Sequence, residues 1–362
     1  MLDVIKFIGG AILLLYGADL LVKGASNLAK SFGISSLVIG LTVVAFGTSA
    51  PELAVTLNAS ATAKPDIALG NVIGSNVFNI LFILGLSALL SPLFVSRQVI
   101  KSELPVMIFA VILLFILALN NVIDQFEGIL LLLSGIIYTV FTIWKSRKEE
   151  TLKHAKAENI TESSSPLTRK IYILKSIFYA LLGLVLLVIG SNLFVDASVN
   201  FARMFGLSEL IIGLTIVSIG TSLPEVATSI TATFKGEKDI AVGNVVGSNI
   251  FNIVYILGIS SLINPSGLSV QSSLLYFDLP LLLFVSFVCL PLFFTGQEIS
   301  RWEGVLLFLF YLLYLAYLIM QSSHYSGITF FNSTVLYFIL PLSLVIIGTS
   351  FYNAVKNKQT LK

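Results

Sequence analysis

One segment of this chain occurs twice, and each copy places a glutamate and several hydroxyl side chains inside an apolar stretch. GTSAPE at 47–52 precedes GNVIGSNVFNI at 70–80, and GTSLPE at 220–225 precedes GNVVGSNIFNI at 243–253. Matching residues are 173 positions apart throughout, as are Glu52 and Glu225. Ionisable residues inside apolar segments are costly to bury and by default mark functional sites. The duplication therefore predicts one site built from two related halves.

The composition indicates a polytopic membrane protein. Hydrophobic residues make up 56% of the 362 residues and charged residues 11%, whereas soluble domains carry about 25% charged residues. The first apolar stretch lacks a cleavage pattern, so we interpret it as a span and not as a signal peptide. With about 20 apolar residues per span, the sequence predicts helices near 4–30, 35–62, 67–90, 103–120, 127–145, 172–203, 208–233, 240–263, 273–295, 302–321 and 330–354.

These eleven spans divide into five, five and one. The halves match outside the duplicated segment as well, since Phe126-Glu127-Gly128 resembles Trp302-Glu303-Gly304. An odd number of spans per repeat inserts the second copy upside down, as in many transporters. The predicted fold is an all-α polytopic membrane protein with two inverted-topology five-helix repeats and one additional C-terminal helix. Its parts are 1–145 (duplicated segment within 40–80), a linker at 146–171, 172–321 (duplicated segment within 213–253), and 322–362, the extra helix and tail.

Basic residues set the predicted orientation. They concentrate in the connection between the halves and in the loops that the eleven-span arrangement places on the same side; Lys6, Lys64 and Arg203 are the exceptions. By the positive-inside rule, the linker and the C-terminus are cytoplasmic and the N-terminus is outside, in a multi-pass protein of the cell membrane. The net charge of +2 follows from this loop bias, and no basic surface suited to nucleic acid is expected.

The duplicated segment predicts an oxygen-lined cavity. Thr48 and Ser49 lie four and three positions before Glu52, so on a helix they share its face. Pro51 lacks an N–H, and a broken helix is expected here, with freed carbonyls at Ala45 and its counterpart Ser218. The second copy repeats this pattern in Thr221, Ser222 and Glu225, and the following spans add Ser75, Asn79, Ser248 and Asn252.

This set of ligands consists only of oxygen atoms, which hard cations such as Ca²⁺ and Na⁺ prefer. His154 and His324 lie in polar connections and Cys289 in an apolar run, so neither a histidine–cysteine metal site nor a disulfide is expected. Glycines 70, 74, 243 and 247 are expected to allow close helix packing. Acidic residues at span starts, where a carboxylate suits a helix N-terminus, are expected to be caps and interface anchors: Glu103, Glu127, Asp278 and Glu303.

The paired GTSxPE and GNxxGSNxFN segments resemble the two alpha repeats of the cation/calcium exchanger superfamily, in its sodium/calcium exchanger branch. The resemblance covers about residues 1–321. It implies Glu52 and Glu225 as central Ca²⁺ ligands shared with Na⁺, and Asn79 and Asn252 as polar groups beside them. It further implies flanking Na⁺ ligands from the side chains of Thr48, Ser49, Ser75, Thr221, Ser222 and Ser248 and from the carbonyls of Ala45 and Ser218.

The implied function is secondary active antiport of Na⁺ for Ca²⁺ by alternating access, with electrogenic calcium extrusion. The ions are substrates; no cofactor, no enzymatic activity and no partner beyond the lipid bilayer are expected, and a monomer suffices. An H⁺/Ca²⁺ exchanger and a K⁺-dependent Na⁺/Ca²⁺ exchanger are the alternatives, although asparagine at both 79 and 252 argues against potassium. A passive cation channel is more remote. An intramembrane hydrolase is disfavoured because neither histidine nor lysine accompanies Ser49.

Overall fold

The computed structural model of the chain describes residues 2–62, 64–156, 166–206, 218–294, 296–323, 325, 327–345 and 347–349. The first half begins with α1 (Leu2–Phe32), and a bent pair follows it, α2 (Ser36–Thr48) and α3 (Ala50–Ala61). The half continues with α4 (Pro65–Leu90), β1 (Leu93–Phe94), α5 (Val99–Asn120), β2 (Val122–Ile123) and α6 (Gln125–Lys156).

The second half repeats this order. It comprises α7 (Pro166–Met204), α8 (Ser218–Gly220), α9 (Leu223–Phe234), α10 (Lys238–Ile263), β3 (Leu268–Ser269), α11 (Leu274–Phe294), β4 (Glu298–Ile299) and α12 (Arg301–Ser322). A short helix, α13 (Ile328–Thr334), then continues through a π-helical turn, Val335–Ile339.

Eight of the described helices are long and apolar enough to cross a membrane, or nine if α2 and α3 form one bent span. They coincide with nine of the eleven predicted spans, and the protein is a multi-pass integral membrane protein. Of the predicted span 208–233, the part up to 217 lies outside the described residues, and so do residues 346 and 350–354 of the predicted last span and 157–165 of the predicted linker. The count of eleven therefore stays a prediction.

Helices α4 and α10, which carry the GNxxGSN segments, form the centre of the protein. In their most apolar stretches 78% and 89% of the residues are buried, against 22 to 33% in α1, α6, α7 and α12. The outer helices expose large apolar side chains, among them Leu15, Ile137 and Leu174, as expected of surfaces that face lipid. The duplicated segment thus lies in the protein interior.

Two short antiparallel strand pairs join the halves reciprocally. β1, which follows α4 of the first half, pairs with β4 of the second half, with Leu93 opposite Ile299. β3, which follows α10 of the second half, pairs with β2 of the first half, with Ser269 opposite Val122. Each half therefore contributes one strand to each pair, and the two halves are joined at equivalent positions.

The acidic residues at the span starts divide into two kinds. Glu303 forms a capping box with Ser300, and Glu127 exchanges hydrogen bonds with Asp124, so the prediction of caps is confirmed for both. For Glu103 and Asp278 it is wrong: both carboxylates are buried and accept hydrogen bonds from tyrosines, Tyr138 (2.7 Å) and Tyr314 (2.9 Å).

Helices α1 and α7 pack along a ladder of glycines. Gly10, Gly17 and Gly24 recur every seven residues on one face of α1. Gly10 and Gly17 lie opposite Gly190 and Gly183 of α7, and Gly24 lies opposite the backbone of Ala180. A Cβ atom at Gly10 would lie 2.7 Å from the backbone nitrogen of Phe194, and one at Gly17 would lie 2.9 Å from the Gly183 carbonyl oxygen. Because backbone atoms cannot move aside as side chains can, this ladder fixes the two helices to each other.

We therefore predict that Gly10→Ala destabilises the protein by about 1–3 kcal/mol relative to Gly9→Ala, the cost typical of overpacking. Gly9 is the matched control, because among the described residues nothing lies within 4 Å of a Cβ atom there. Both substitutions gain the same helix propensity. Denaturant unfolding in detergent checks the difference, and equal stabilities would contradict the ladder.

Candidate ion-binding site

The helix break predicted at the GTSxPE segments occurs in both halves. Helices α2 and α3 meet at 48° around Ser49, and Ser49 and Ser222 have nearly the same backbone angles (φ −79°, ψ 10° and φ −90°, ψ 8°). A proline follows two positions later in each copy. It lies in the first turn of the new helix, where a backbone N–H would have no carbonyl acceptor within the helix. Each glutamate thus lies in the first turn of a new helix, where the helix dipole favours a carboxylate.

Two reciprocal hydrogen bonds cross between the halves at this break. Ser49 Oγ donates to Glu225 Oε1 over 3.0 Å, and Ser222 Oγ donates to Glu52 Oε1 over 2.6 Å. All four residues are at most 1% exposed. Each glutamate is therefore bonded to the serine of the other half. We refer to Glu52 and Glu225, together with their serine partners Ser222 and Ser49, as the glutamate pair.

The central helices add further oxygen atoms around the glutamate pair. Ser75 Oγ lies 3.3 Å from Ser222 Oγ. Asn79 and Asn252 are buried and each begins a π-helical turn of six residues, a local distortion that is frequent at functional sites. Ser248 is fully buried at the equivalent position of α10.

Several of these buried polar atoms have no hydrogen-bond partner within 3.5 Å among the described residues. They are Glu52 Oε2, Glu225 Oε2, both amide atoms of Asn79, Ser248 Oγ and Asn252 Oδ1. Native interiors leave few polar groups unpaired, and each such group calls for an explanation. Of these six atoms five are oxygens, so the array fits a cation that prefers oxygen ligands. Among the described residues no group of three or more His, Cys, Asp or Glu side chains is present.

The threonines of the duplicated segments contact asparagines of the opposite half. Thr48 Oγ1 donates to Asn244 Oδ1 over 3.1 Å, and Thr221 Oγ1 donates to Asn71 Oδ1 over 3.5 Å. Thr48 is fully buried, while Thr221 is half-buried. The structure thus bonds Ser49 to Glu225, and Glu52 and Ser75 to Ser222. Thr48 and Thr221 also lie beside the carboxyl group of the glutamate of the opposite half.

Asn71 and Asn244 are the residues that the sequence analysis missed. Asn71 Nδ2 donates to the Glu52 carbonyl (3.3 Å) and to Thr56 Oγ1 (2.9 Å). Asn244 Nδ2 donates to the Glu225 carbonyl (3.5 Å) and to Ser229 Oγ (3.0 Å). Both asparagines lie in the duplicated segment with the same spacing as the glutamates, which is the signal that could have identified them. They hold the backbone of each glutamate against the following helix.

The expectation that the break frees the carbonyl of Ala45 is wrong. The backbone N–H of Ser49 donates to it over 3.1 Å, and Thr48 Oγ1 is within 3.4 Å. In the second half the N–H of Ser222 donates to Ile219, three residues back, and not to Ser218. Ser191 of α7 donates to the carbonyl of Gly220 over 2.7 Å, the group that Pro224 cannot bond. The two breaks therefore differ in their backbone bonding.

Comparison with known proteins decides the family. The family model "Sodium/calcium exchanger protein" matches residues 3–144 and 175–320. This chain belongs to the sodium/calcium exchanger family. The sodium/calcium exchanger MaX1 of Methanosarcina acetivorans is 37% identical to it over an aligned length of 338 positions, and the alignment covers 85% of this chain and 96% of the relative. The putative antiporter CaxA of Alkalimonas amylolytica is 40% identical over 258 residues, 71% of this chain and 79% of that relative.

The fold of this exchanger also matches a solved structure. The sodium-calcium exchanger NCX_Mj, soaked with 10 mM Na⁺ and zero Ca²⁺, superposes with a TM-score of 0.75 at 33% identity over 87% of this chain and 98% of that chain. The family resemblance seen in the sequence is confirmed. The protein is a transporter of a cation/Ca²⁺ exchange family and not an enzyme.

The reciprocal bonds of the glutamate pair predict a specific energetic coupling. In a double-mutant cycle on unfolding free energy, Ser49→Ala and Glu225→Leu should couple by about 1–3 kcal/mol, the range for hydrogen bonds to carboxylates. Ser49→Ala with Glu52→Leu is the matched control, because these residues share a helix break but no hydrogen bond. A coupling as large in the control as across the halves would contradict the reciprocal arrangement.

Proposed function

We propose that this exchanger carries Na⁺ and Ca²⁺ in opposite directions across the membrane by alternating access, at the glutamate pair. The observation that carries the proposal is the pair itself: two fully buried carboxylates, each bonded to the other half, next to unpaired buried oxygen atoms. The family membership supports the same ions, since MaX1 and NCX_Mj are named as sodium/calcium exchangers.

The proposed ligands follow from this geometry. Glu52 and Glu225 are the central ligands of Ca²⁺, and Na⁺ binds to the same two carboxylates. The hydroxyls of Ser49, Ser75, Ser222 and Ser248 complete the set of ligands. Asn79 and Asn252 lie beside the central ion, and their unpaired amide oxygens support this role. Thr48 and Thr221 flank the site as further Na⁺ ligands together with the carbonyl of Ser218. The carbonyl of Ala45 accepts the bond from Ser49 with one of its two lone pairs, and it is proposed as a further Na⁺ ligand with the other.

Charge explains why exchange would be obligatory. Two carboxylates neutralise either one Ca²⁺ or two Na⁺, so the two loads compete for the same oxygen atoms. Without a cation the pair would carry two uncompensated charges in an apolar interior, which is strongly unfavourable. An empty site is therefore costly to reorient. A third Na⁺ would add one charge per cycle, worth about 2.3 kcal/mol per 100 mV, and an inside-negative potential would then favour calcium extrusion.

The two repeats are proposed to insert in opposite orientations, with the N-terminus outside and the C-terminus in the cytoplasm. The reciprocal strand pairs and the reciprocal serine–glutamate bonds support two equivalent halves, because each contact from the first half to the second has a matching contact from the second to the first. The boundaries at 145, 172 and 321 follow from this division, and residues 322–362 form an appended part. Inverted repeats around a central site are the architecture of alternating access.

We predict that Glu52→Gln and Glu225→Gln each abolish ⁴⁵Ca²⁺ uptake into Na⁺-loaded proteoliposomes, because each removes half of the negative charge at unchanged size. Glu127→Gln, which alters a helix cap at the start of α6, is the matched control and should retain uptake. Sodium, proton and potassium gradients are varied separately. Uptake that follows only the proton gradient, or that requires potassium, would contradict simple Na⁺/Ca²⁺ exchange, and substantial uptake by either variant would contradict the role of the glutamates.

A labelling experiment tests the orientation. In a Cys289→Ala background, Ser323→Cys should react with an impermeant thiol reagent only from outside, and Arg97→Cys only from the cytoplasmic side. Both positions are exposed, and they lie in short connections to which the positive-inside rule applies. Reaction of both positions from the same side would mean an even number of spans between them and would contradict inverted repeats.

A further inference from the structure

A chain of amide hydrogen bonds connects the central helices α4 and α10. Asn76 of α4 donates from its Nδ2 to the backbone carbonyl of Asn249 in α10 over 3.2 Å, and its Oδ1 accepts a bond from Nδ2 of Asn252 over 3.0 Å. All three residues are at most 1% exposed. The side chain of Asn76 therefore joins two positions of α10 that lie about one helical turn apart.

The backbone carbonyl fixes the direction of this chain. A carbonyl oxygen can only accept a hydrogen bond, so the NH₂ group of Asn76 has to face Asn249. The opposite orientation would place the oxygen of Asn76 3.2 Å from the carbonyl oxygen of Asn249, with no hydrogen atom between them. Because Oδ1 of Asn76 also only accepts, Asn252 has to present its NH₂ group to it. The oxygen of the Asn252 amide is therefore the atom that remains for another partner.

This oxygen lies near the glutamate pair. Asn252 follows Ser248 by four positions, its backbone N–H bonds to the Ser248 carbonyl, and the two side chains share one face of α10. Ser248 lies beside the carboxyl group of Glu225. Asn252 Oδ1 is buried and has no hydrogen-bond partner among the described residues. Amide oxygens are ligands of Ca²⁺, whereas an NH₂ group would turn its positive partial charge to a cation. The direction of this amide thus decides whether Asn252 attracts a cation.

The equivalent amide of the first half is not held in this way. Asn249 is the counterpart of Asn76, 173 positions on, but its Nδ2 donates to the carbonyl of Val245 in its own helix over 3.0 Å. Neither its Oδ1 nor either amide atom of Asn79 has a hydrogen-bond partner among the described residues. Within that part of the chain, Asn76 therefore orients Asn252, and Asn249 does not orient Asn79.

We propose that Asn76 is a positioning residue for cation binding, which holds the amide of Asn252 so that its oxygen and not its NH₂ group faces the cation. The identity of the ions, Na⁺ and Ca²⁺, rests on the proposed function. Asn76 acts through Asn252, since both of its own polar ends are bonded to α10. Residues that hold metal ligands by hydrogen bonds set the orientation of those ligands and thereby the affinity for the ion.

The first test measures equilibrium ⁴⁵Ca²⁺ binding to the purified protein in detergent without Na⁺. Asn76→Leu keeps a branched side chain and removes both bonds, so it should weaken binding about tenfold, the lower end of the range for residues that orient metal ligands. Asn249→Leu is the matched control and should leave binding unchanged, because the described side-chain bond of Asn249 stays within its own helix. Unchanged binding in Asn76→Leu, or an equal loss in both variants, overturns the proposal.

Two further substitutions separate orientation from packing. Asn76→Ala removes the same bonds without adding apolar volume, so it should weaken Ca²⁺ binding to the same extent, and it replaces Asn76→Leu if that variant does not fold. Asn76→Asp should retain or tighten binding, because its carboxyl group keeps an oxygen that accepts from Asn252 in both the ionised and the protonated form. A loss in Asn76→Asp as large as that in Asn76→Ala would show a packing role and overturn the proposal.

The last test asks whether Asn76 acts through Asn252. In an Asn252→Leu background, Asn76→Leu should cause no further loss of ⁴⁵Ca²⁺ affinity, whereas in an Asn79→Leu background the full loss should remain. A further loss in the Asn252→Leu background would overturn the proposal. If the unmodified protein binds Ca²⁺ but does not exchange it for Na⁺, the proposed function fails, while these affinity ratios still decide the role of Asn76. If it binds no Ca²⁺, both proposals fail.

Discussion

The burial of two carboxylates in an apolar interior is the constraint on which the rest of the structure depends. Taking an isolated carboxylate out of water costs several kcal/mol even after relaxation, and this protein does so twice in one place. The broken helices reduce the cost, because each glutamate lies in the first turn of a helix. The serine of the opposite half supplies the hydrogen bond that its own half does not. Neither half therefore completes the site alone.

This dependence explains the interlocked architecture. Helices α4 and α10 occupy the most buried positions and carry the amide and hydroxyl groups that surround the glutamates. Asn71 and Asn244 hold the backbone of each glutamate to these central helices. At the periphery the glycines of α1 and α7 let the backbones of these two helices pack in close contact. The protein thus combines a polar centre shared by both halves with a closely packed outer helix pair.

The two halves are alike in sequence but not in surroundings. The two helix breaks differ in their backbone bonding, and of the two carboxylate–tyrosine pairs Glu103 also accepts a hydrogen bond from Gln98. The same sequence pattern is therefore completed by different hydrogen bonds in the two halves.

The sequence by itself determined the duplicated site, its all-oxygen chemistry and nine of the spans, because apolar length and the spacing of polar residues are local properties of a chain. It also placed the helix breaks, since the missing N–H of Pro51 and Pro224 acts within its own turn. The tertiary structure alone decided which atoms meet. Spacing did not reveal that Ser49 bonds to Glu225 and not to Glu52, or that Asn71 holds Glu52, since those contacts join segments far apart in the chain. It likewise decided that Ala45 keeps its backbone bond and that Glu103 and Asp278 are buried against tyrosines and do not cap helices, because burial depends on what distant segments place beside each residue.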